Sequence, residues 1–330
     1  MTTPNASLSP SSIATSWLDR RLASVLNAAH QQARRRIATL AFAVAVAFGL
    51  GTFWYATMAG IEPSTTVFRV AALATLLSLL TAAALYPVLR IRNRWLLSAA
   101  STISHDNLDL LTVLGKLTEL RDGETAGHNL RVTTCTLMFA EAIHFSRDEI
   151  VRAVKGALLH DIGKLAIPDR ILHKPGPLTP DERIEMNKHV RYGLDIVSQS
   201  HMLREAMPVV AAHHEHYDGS GYPFGLKAET IPREARLFAL VDVFDALTSS
   251  RIYKPAFGME EALATMAGSR GTQFDPYLFD RFKKLAPDLV RRLPTEETDQ
   301  ILLLMDLLLP YVDRLVPVEA IPYGKGWYVK

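Results

Sequence analysis

Two stretches of this chain run without a charged side chain for longer than a soluble fold readily absorbs. Ile37–Ile61 covers 25 such positions and Val70–Leu89 covers 20. About 20 apolar residues in a helix cross a hydrocarbon core of roughly 30 Å, whereas a core helix of a soluble domain seldom stays apolar on every face. The pattern predicts two transmembrane helices joined by the eight-residue connector Glu62–Arg69, which leaves no room for a domain on the far side. Arg34, Arg35 and Arg36 precede the first span and Arg90, Arg92 and Arg94 follow the second, while the connector holds one arginine. By the positive-inside bias both flanks face the cytoplasm.

The remainder divides by pattern. Residues 1–35 read as a cytoplasmic tail, 36–90 as the hairpin, 91–120 as a linker helix, 121–287 as a domain of short amphipathic helices and 288–330 as a helical extension. In the linker Leu96, Ile103, Leu110 and Leu117 recur every seven residues, with Asn107 and Leu114 at the complementary position. That suits a dimerising coiled coil or a single helix packed on the next domain. A net charge of +2 gives no basic face for a nucleic-acid polymer. A single cysteine, Cys135, excludes an internal disulfide framework and a thiolate-rich zinc site.

Metal-ligand candidates accumulate in the domain. The run "HHEHYDGSGYP" puts three histidines, a glutamate and an aspartate in six residues. His213 and His214 open it. Upstream, "ETAGHNLRV" sets Glu124 and His128 at i and i+4, one face of a helix. "LLHDIGK" ends an apolar helix with His160 and Asp161, with Gly163 suited to terminate it and Lys164 placed to meet an anion. His189 begins another helical stretch, and Asp242 sits inside the apolar "LFALVDVFDALTS", where a carboxylate is costly unless paired or ligated. Eight nitrogen and oxygen donors without thiolate suit iron or manganese.

The motifs "HDIGK", "ILHKPGPLTPDE", "HHEHYDGSGYP", "RLFALVDVFDALTSSRIYK" and "GTQFDP" stand in the order and spacing of the HD-GYP family, and the segment from Arg121 to Pro287 resembles it. The resemblance implies an all-α fold of HD type, hydrolysis of the bacterial messenger cyclic di-GMP, and a centre of two or three divalent metal ions. On it, His160, Asp161, His189, His213, His214 and Asp242 match the central ligands, with Asp161 the bridging carboxylate. Glu124 and His128 match the pair that holds a third metal in some members. Tyr222, Arg251 and Lys254 match positions that contact the nucleotide, and Lys164 adds positive charge at a phosphoryl oxygen. Val190 departs from a frequent proline, and Ser250 and Ile252 from a frequent aspartate and proline. The expectation is a multi-pass protein of a bacterial inner membrane with its catalytic domain cytoplasmic, dimeric through the linker or membrane helices. A silent receptor for the messenger, or an enzyme for cyclic GMP-AMP, are the alternatives.

Overall fold

The structure, a computed structural model, describes residues 65–122, 127–249 and 256–311, together with scattered positions between 39 and 60. These residues form two compact units, divided between Thr102 and Ile103. Among them there is no sheet; the extended pairing present is one isolated bridge, Arg270 to Phe274.

In the first unit the long helix α1, Thr65–Asp122, carries Phe68–Leu89, 22 residues of mean hydropathy 1.9, with none of those whose burial is described buried. By length and composition this stretch can cross a membrane. Ile37–Ile61 lies largely outside the described residues, so the hairpin stays an expectation. The last turns of α1 belong to the second unit. There Leu111, Thr118 and Glu119 are buried, and Gly115 lets the helix close on α3: a Cβ there would stand 3.0 Å from the Leu158 carbonyl oxygen. Leu110 and Leu117 of the heptad face stay exposed. The helix therefore packs on the domain through one face and leaves the leucine face open.

The second unit is a helical domain around α2, His128–Ala142, in which twelve residues are buried. α3 (Arg147–Leu159), α8 (Arg233–Thr248), α10 (Pro276–Arg292) and α11 (Glu297–Leu308) pack against it. The contacts include Phe139 edge-on to Phe282 and Phe244 edge-on to the same ring, at 5.2 and 5.3 Å between centroids. Between them lie α4 (Asp169–Leu172), α5 (Pro180–Asn187), α6 (His189–Ser198), α7 (Met207–Ala212) and α9 (Met259–Ala267).

Local sequence sets the helix starts. Ser146 and Glu149 form a reciprocal capping box on α3, and Thr179 with Glu182 does the same on α5. Asp275 of "GTQFDP" accepts from the Tyr277 and Leu278 amides at 2.8 and 3.1 Å, and Pro276 occupies the first turn of α10. α11 covers α2 with Leu304, Met305 and Leu308 buried, and Tyr311 beyond it hydrogen-bonds Glu141 at 2.8 Å. The described part of the extension, up to Tyr311, thus covers the domain core.

Candidate metal centre

The donors sit at helix ends, where backbone turns aim neighbouring side chains inward. His160 caps the C-terminus of α3, with Asp161 next, leading into a 3-10 turn at Ile162–Ala166. His189 is the first residue of α6, and His213 and His214 follow the last residue of α7. Asp242 lies mid-way along α8, and His128 opens α2. They converge as two groups, Asp161 with His189, His213 and His214, and His128 with His160 and Asp242, the ligand atoms of each group within 4.8 Å of one another. His160 and His213 stand edge to face at 5.4 Å, so the groups adjoin.

The imidazoles are held by one nitrogen and offer the other. Nδ1 faces Ala157 O in His160 (2.9 Å), Met186 O in His189 (2.8 Å), and the carbonyls of Val209 and Val210 in His213 (3.1 and 3.2 Å). A carbonyl only accepts, so Nδ1 carries the proton and Nε2 the lone pair. In His128, Nδ1 meets Asp245 Oδ2 at 2.8 Å. Such outer partners fix ring orientation in metal sites. Asp161 spans the groups: Oδ2 is 3.0 Å from His160 Nε2, and Oδ1 lies 3.4 and 3.8 Å from Nε2 of His189 and His213. That Oδ1 is buried and accepts no hydrogen bond. Converging Nε2 atoms around such an oxygen, with no thiolate among the donors, fit divalent cations.

Electrostatics agree for three of the rings. Burial depresses His189, His213 and His214, the last to about 3, and so keeps these rings in the neutral, ligating form. Burial opposes the charge of Asp161, yet Lys164 and His160 hold it well below the usual carboxylate range. His160, which burial alone would lower, is raised to about 9 by Asp161. Lys164 Nζ lies 2.7 Å from Asp161 Oδ2 and 2.5 Å from Asp122 Oδ2.

Glycines allow the close approach. A Cβ on Gly163 would fall 1.8 Å from the His189 carbonyl oxygen and 2.4 Å from Gly193 N. Gly163 therefore seats the turn after Asp161 directly on the start of α6, rather than terminating α3, which ends four residues earlier at Leu159. A Cβ on Gly221 would lie 2.3 Å from His216 N and 2.5 Å from His214 O. The loop folds back there, so the Tyr222 ring stacks on His214 at 4.7 Å. "GTQFDP" backs it: Gln273 O and Thr272 O accept from the Tyr217 and Asp218 amides at 3.1 and 2.8 Å.

Of the expected site residues, His128, His160, Asp161, Lys164, His189, His213, His214, Tyr222 and Asp242 come together. Glu124, Arg251 and Lys254 lie outside the described residues. α2 begins at His128, and Gly127 before it has φ +80°. Three residues escaped the sequence reading. Asp245, one turn beyond Asp242, also takes Arg131 Nε and Nη2 at 2.8 and 2.9 Å. Burial works against its charge, but hydrogen bonds from His128 and Arg131 bring it to about 2. Glu215, buried beside His214, accepts the Phe224 and Leu226 amides at 2.7 and 3.0 Å and so pins the loop that carries Tyr222. A second acid in the apolar helix and the glutamate of "HHE" were the available signals.

Fold and donor set define a class: a helical domain that gathers imidazoles and carboxylates from helix ends in a form compatible with divalent metal binding. The HD domain family matches residues 112–278, and the chain belongs to that family. The chain is 42% identical over 187 residues to the cyclic di-GMP phosphodiesterase response regulator RpfG of Xanthomonas campestris, covering 56% of this chain and 50% of that one. It is 40% identical over 195 residues to a cyclic di-GMP phosphodiesterase of Thermotoga maritima (58% and 53%). With 3'3'-cGAMP-specific phosphodiesterase 2 of Vibrio cholerae the identity is 38% over 174 residues (52% and 33%). The chain spans about half or less of the length of these curated relatives.

Proposed function

We propose that the chain is a membrane-anchored phosphodiesterase that hydrolyses cyclic di-GMP to the linear dinucleotide pGpG, with a second cut to GMP open to the same site. The observation that carries this is the Asp161 carboxylate, one oxygen toward His160 and the other toward His189 and His213. In this reading His160, His189, His213, His214, Asp161 and Asp242 hold two ions, and His128 with Glu124 supports a third. Bound there, iron or manganese supplies a water of lowered pKa and positive charge for the phosphoryl oxygens.

The chain's own groups do the rest. Lys164, held at the site by Asp161 and Asp122, donates to a non-bridging oxygen. Tyr222 offers an aromatic face beside His214 for a guanine, with Arg251 and Lys254 as further contacts. Phe68–Leu89 and Ile37–Ile61 serve as an inner-membrane hairpin between the tail and the linker helix, with the domain of 121–287 and its extension in the cytoplasm. The exposed face of Leu110 and Leu117 supports a homodimer through the linker.

The relatives named for cyclic GMP-AMP favour a second substrate, so the test compares both. Full-length protein in lipid nanodiscs, loaded anaerobically with manganese or ferrous iron, is expected to linearise cyclic di-GMP faster than cyclic GMP-AMP, read by chromatography. Asp161→Asn should lose metal at both donor groups together, by more than the ~10–100-fold that removing an outer partner costs. Full occupancy of two metals with no turnover of either nucleotide would instead make the domain a receptor.

A further inference from the structure

Charge is almost balanced over the whole chain, 36 basic against 34 acidic side chains, but it is not balanced along α10. That helix, Pro276–Arg292, holds Arg281, Lys283, Lys284, Arg291 and Arg292 against Asp280 and Asp288. Its excess of three is larger than the +2 of the entire protein. The positive balance of the chain therefore sits on one helix that supplies none of the converging metal donors.

Helical phase sorts the two sides of α10. Leu278, Phe279, Phe282, Ala286 and Leu289 are buried against the domain. At about 100° per residue, Tyr277, Arg281, Lys284, Asp288, Arg291 and Arg292 fall together on the other side, and all six are exposed. Both acids of the helix are already engaged, Asp280 by Nε and Nη2 of Arg270 at 2.8 and 2.7 Å and Asp288 by Arg291. Among the described residues Arg281, Lys284 and Arg292 form no ion pair, and the Arg281 guanidinium lies over the Tyr277 ring at 5.4 Å. The face thus presents uncompensated cations around an exposed tyrosine.

That combination suits a lipid surface. Tyrosine settles at the level of the headgroups, where its ring is half in apolar surroundings and its hydroxyl is wet. Anionic headgroups attract lysine and arginine held near them. The same chain carries Phe68–Leu89, able by length and composition to cross a bilayer, and a tether raises the effective concentration of lipid at the domain surface. In the anchored reading the domain faces the cytoplasmic leaflet, which carries the anionic lipids.

We propose that the outer face of α10 docks the domain on the anionic headgroups of the membrane that anchors it, through Arg281, Lys284 and Arg292 with Tyr277 at the interface. The inference rests on the membrane-anchored reading of the preceding section and is independent of the metal centre.

The test uses the full-length chain in phosphatidylcholine nanodiscs with and without phosphatidylglycerol. A fluorophore on Pro287→Cys, an exposed position beside the face, reports contact with a quencher carried by the lipids, and one on Gln199→Cys, just after α6, is the control. Adding phosphatidylglycerol should shift the docking equilibrium about 10–100-fold toward contact at Pro287→Cys, with no matching rise at Gln199→Cys. High salt should reverse the shift by screening. Arg281→Gln, Lys284→Gln and Arg292→Gln combined should return quenching to the level in neutral lipid, while melting temperature and manganese content stay those of the wild type. Equal quenching in the two kinds of disc, or a rise that the triple variant keeps, overturns the docking face. Protection of the Pro287→Cys label by a DNA duplex in place of lipid overturns the choice of partner. Release of the chain from membranes by alkaline carbonate overturns the anchor alone; flotation of the wild type, but not of the triple variant, on phosphatidylglycerol vesicles would then still uphold the face.

Discussion

Replacing Gly163 by alanine adds one methyl group and should cripple the metal centre. The new Cβ would meet the His189 carbonyl oxygen at 1.8 Å, about 1.6 Å short of the 3.4 Å at which ordinary contact begins, and Gly193 N at 2.4 Å. Both obstacles are backbone, so no side chain can swing aside; the turn at Ile162–Ala166 and the start of α6 must part. Overpacking of this kind costs about 1–3 kcal/mol, and the rigid obstacle puts Gly163→Ala at the upper end. For a domain of this size that lowers the melting temperature by about 5–10 °C. The functional effect is larger. His189 carries the obstructing carbonyl, and its Nε2 stands 3.4 Å from Asp161 Oδ1, whereas metal–ligand distances tolerate only about ±0.2 Å. A separation near 1.6 Å exceeds that tolerance several-fold, so manganese affinity should collapse even where the domain stays folded. Equilibrium dialysis with elemental analysis reads the occupancy, and scanning calorimetry with and without chelator reads the stability. Gly258→Ala, where a Cβ meets nothing within 4 Å, is the matched control. Wild-type manganese affinity and melting temperature in Gly163→Ala would refute the packing argument outright.

Glu215→Ala leaves the Phe224 and Leu226 amides without their buried acceptor, so we expect a stability loss of about 2 kcal/mol and a raised KM with manganese content unchanged; loss of metal instead would make Glu215 part of the donor array. Glu149→Gln removes the capping carboxylate of α3. Burial opposes the charge of Glu149, but hydrogen bonds from Ser146 and the charge of Arg233 lower its pKa, so its contribution as an anion in the first helical turn, about 0.3–1 kcal/mol, is present above the ordinary glutamate value of 4.5 and lost as pH falls through the depressed one. Urea unfolding of both proteins should therefore differ at pH 7 and converge toward pH 3; a constant gap across that range contradicts the linkage. For topology, a cysteine at Ser64 should react with an impermeant maleimide on intact spheroplasts and one at Ser11 only after lysis, against a background kept low because burial pushes the Cys135 thiol up to about 12.

The donors were legible because their chemistry is rare in combination and their spacing is local. Adjacent His160 and Asp161, or His213 and His214, announce themselves without knowledge of the fold, and Asp242 stands out against an apolar helix. What the linear pattern does not hold is the grouping. His128 meets His160 and Asp242 only because α2, α3 and α8 pack together, a relation across more than a hundred residues. Nor does the linear pattern hold the exact helix start, which the left-handed Gly127 sets at His128. Gly163 was read as a helix terminator because glycine serves both ends, and only the 1.8 Å approach to His189 distinguishes the two uses.

His128 shows why the core and the site are one problem. Its Nδ1 faces Asp245 at 2.8 Å and its Nε2 faces Asp242 at 3.5 Å, so two carboxylates one turn apart on α8 flank a single imidazole. That arrangement needs α8 fixed in both rotation and height against α2, and the fixing is done by Leu237, Phe238, Leu240 and Val241, each at most 2% exposed. A slip of one residue along α8 would turn Asp242 about 100° away from His128 and drive an apolar neighbour into the donor group. The dense packing of interiors permits no such intermediate register. The apolar helix that made Asp242 conspicuous in the sequence is therefore also what holds it on target, and core substitutions in α8 should alter metal affinity before they unfold the domain.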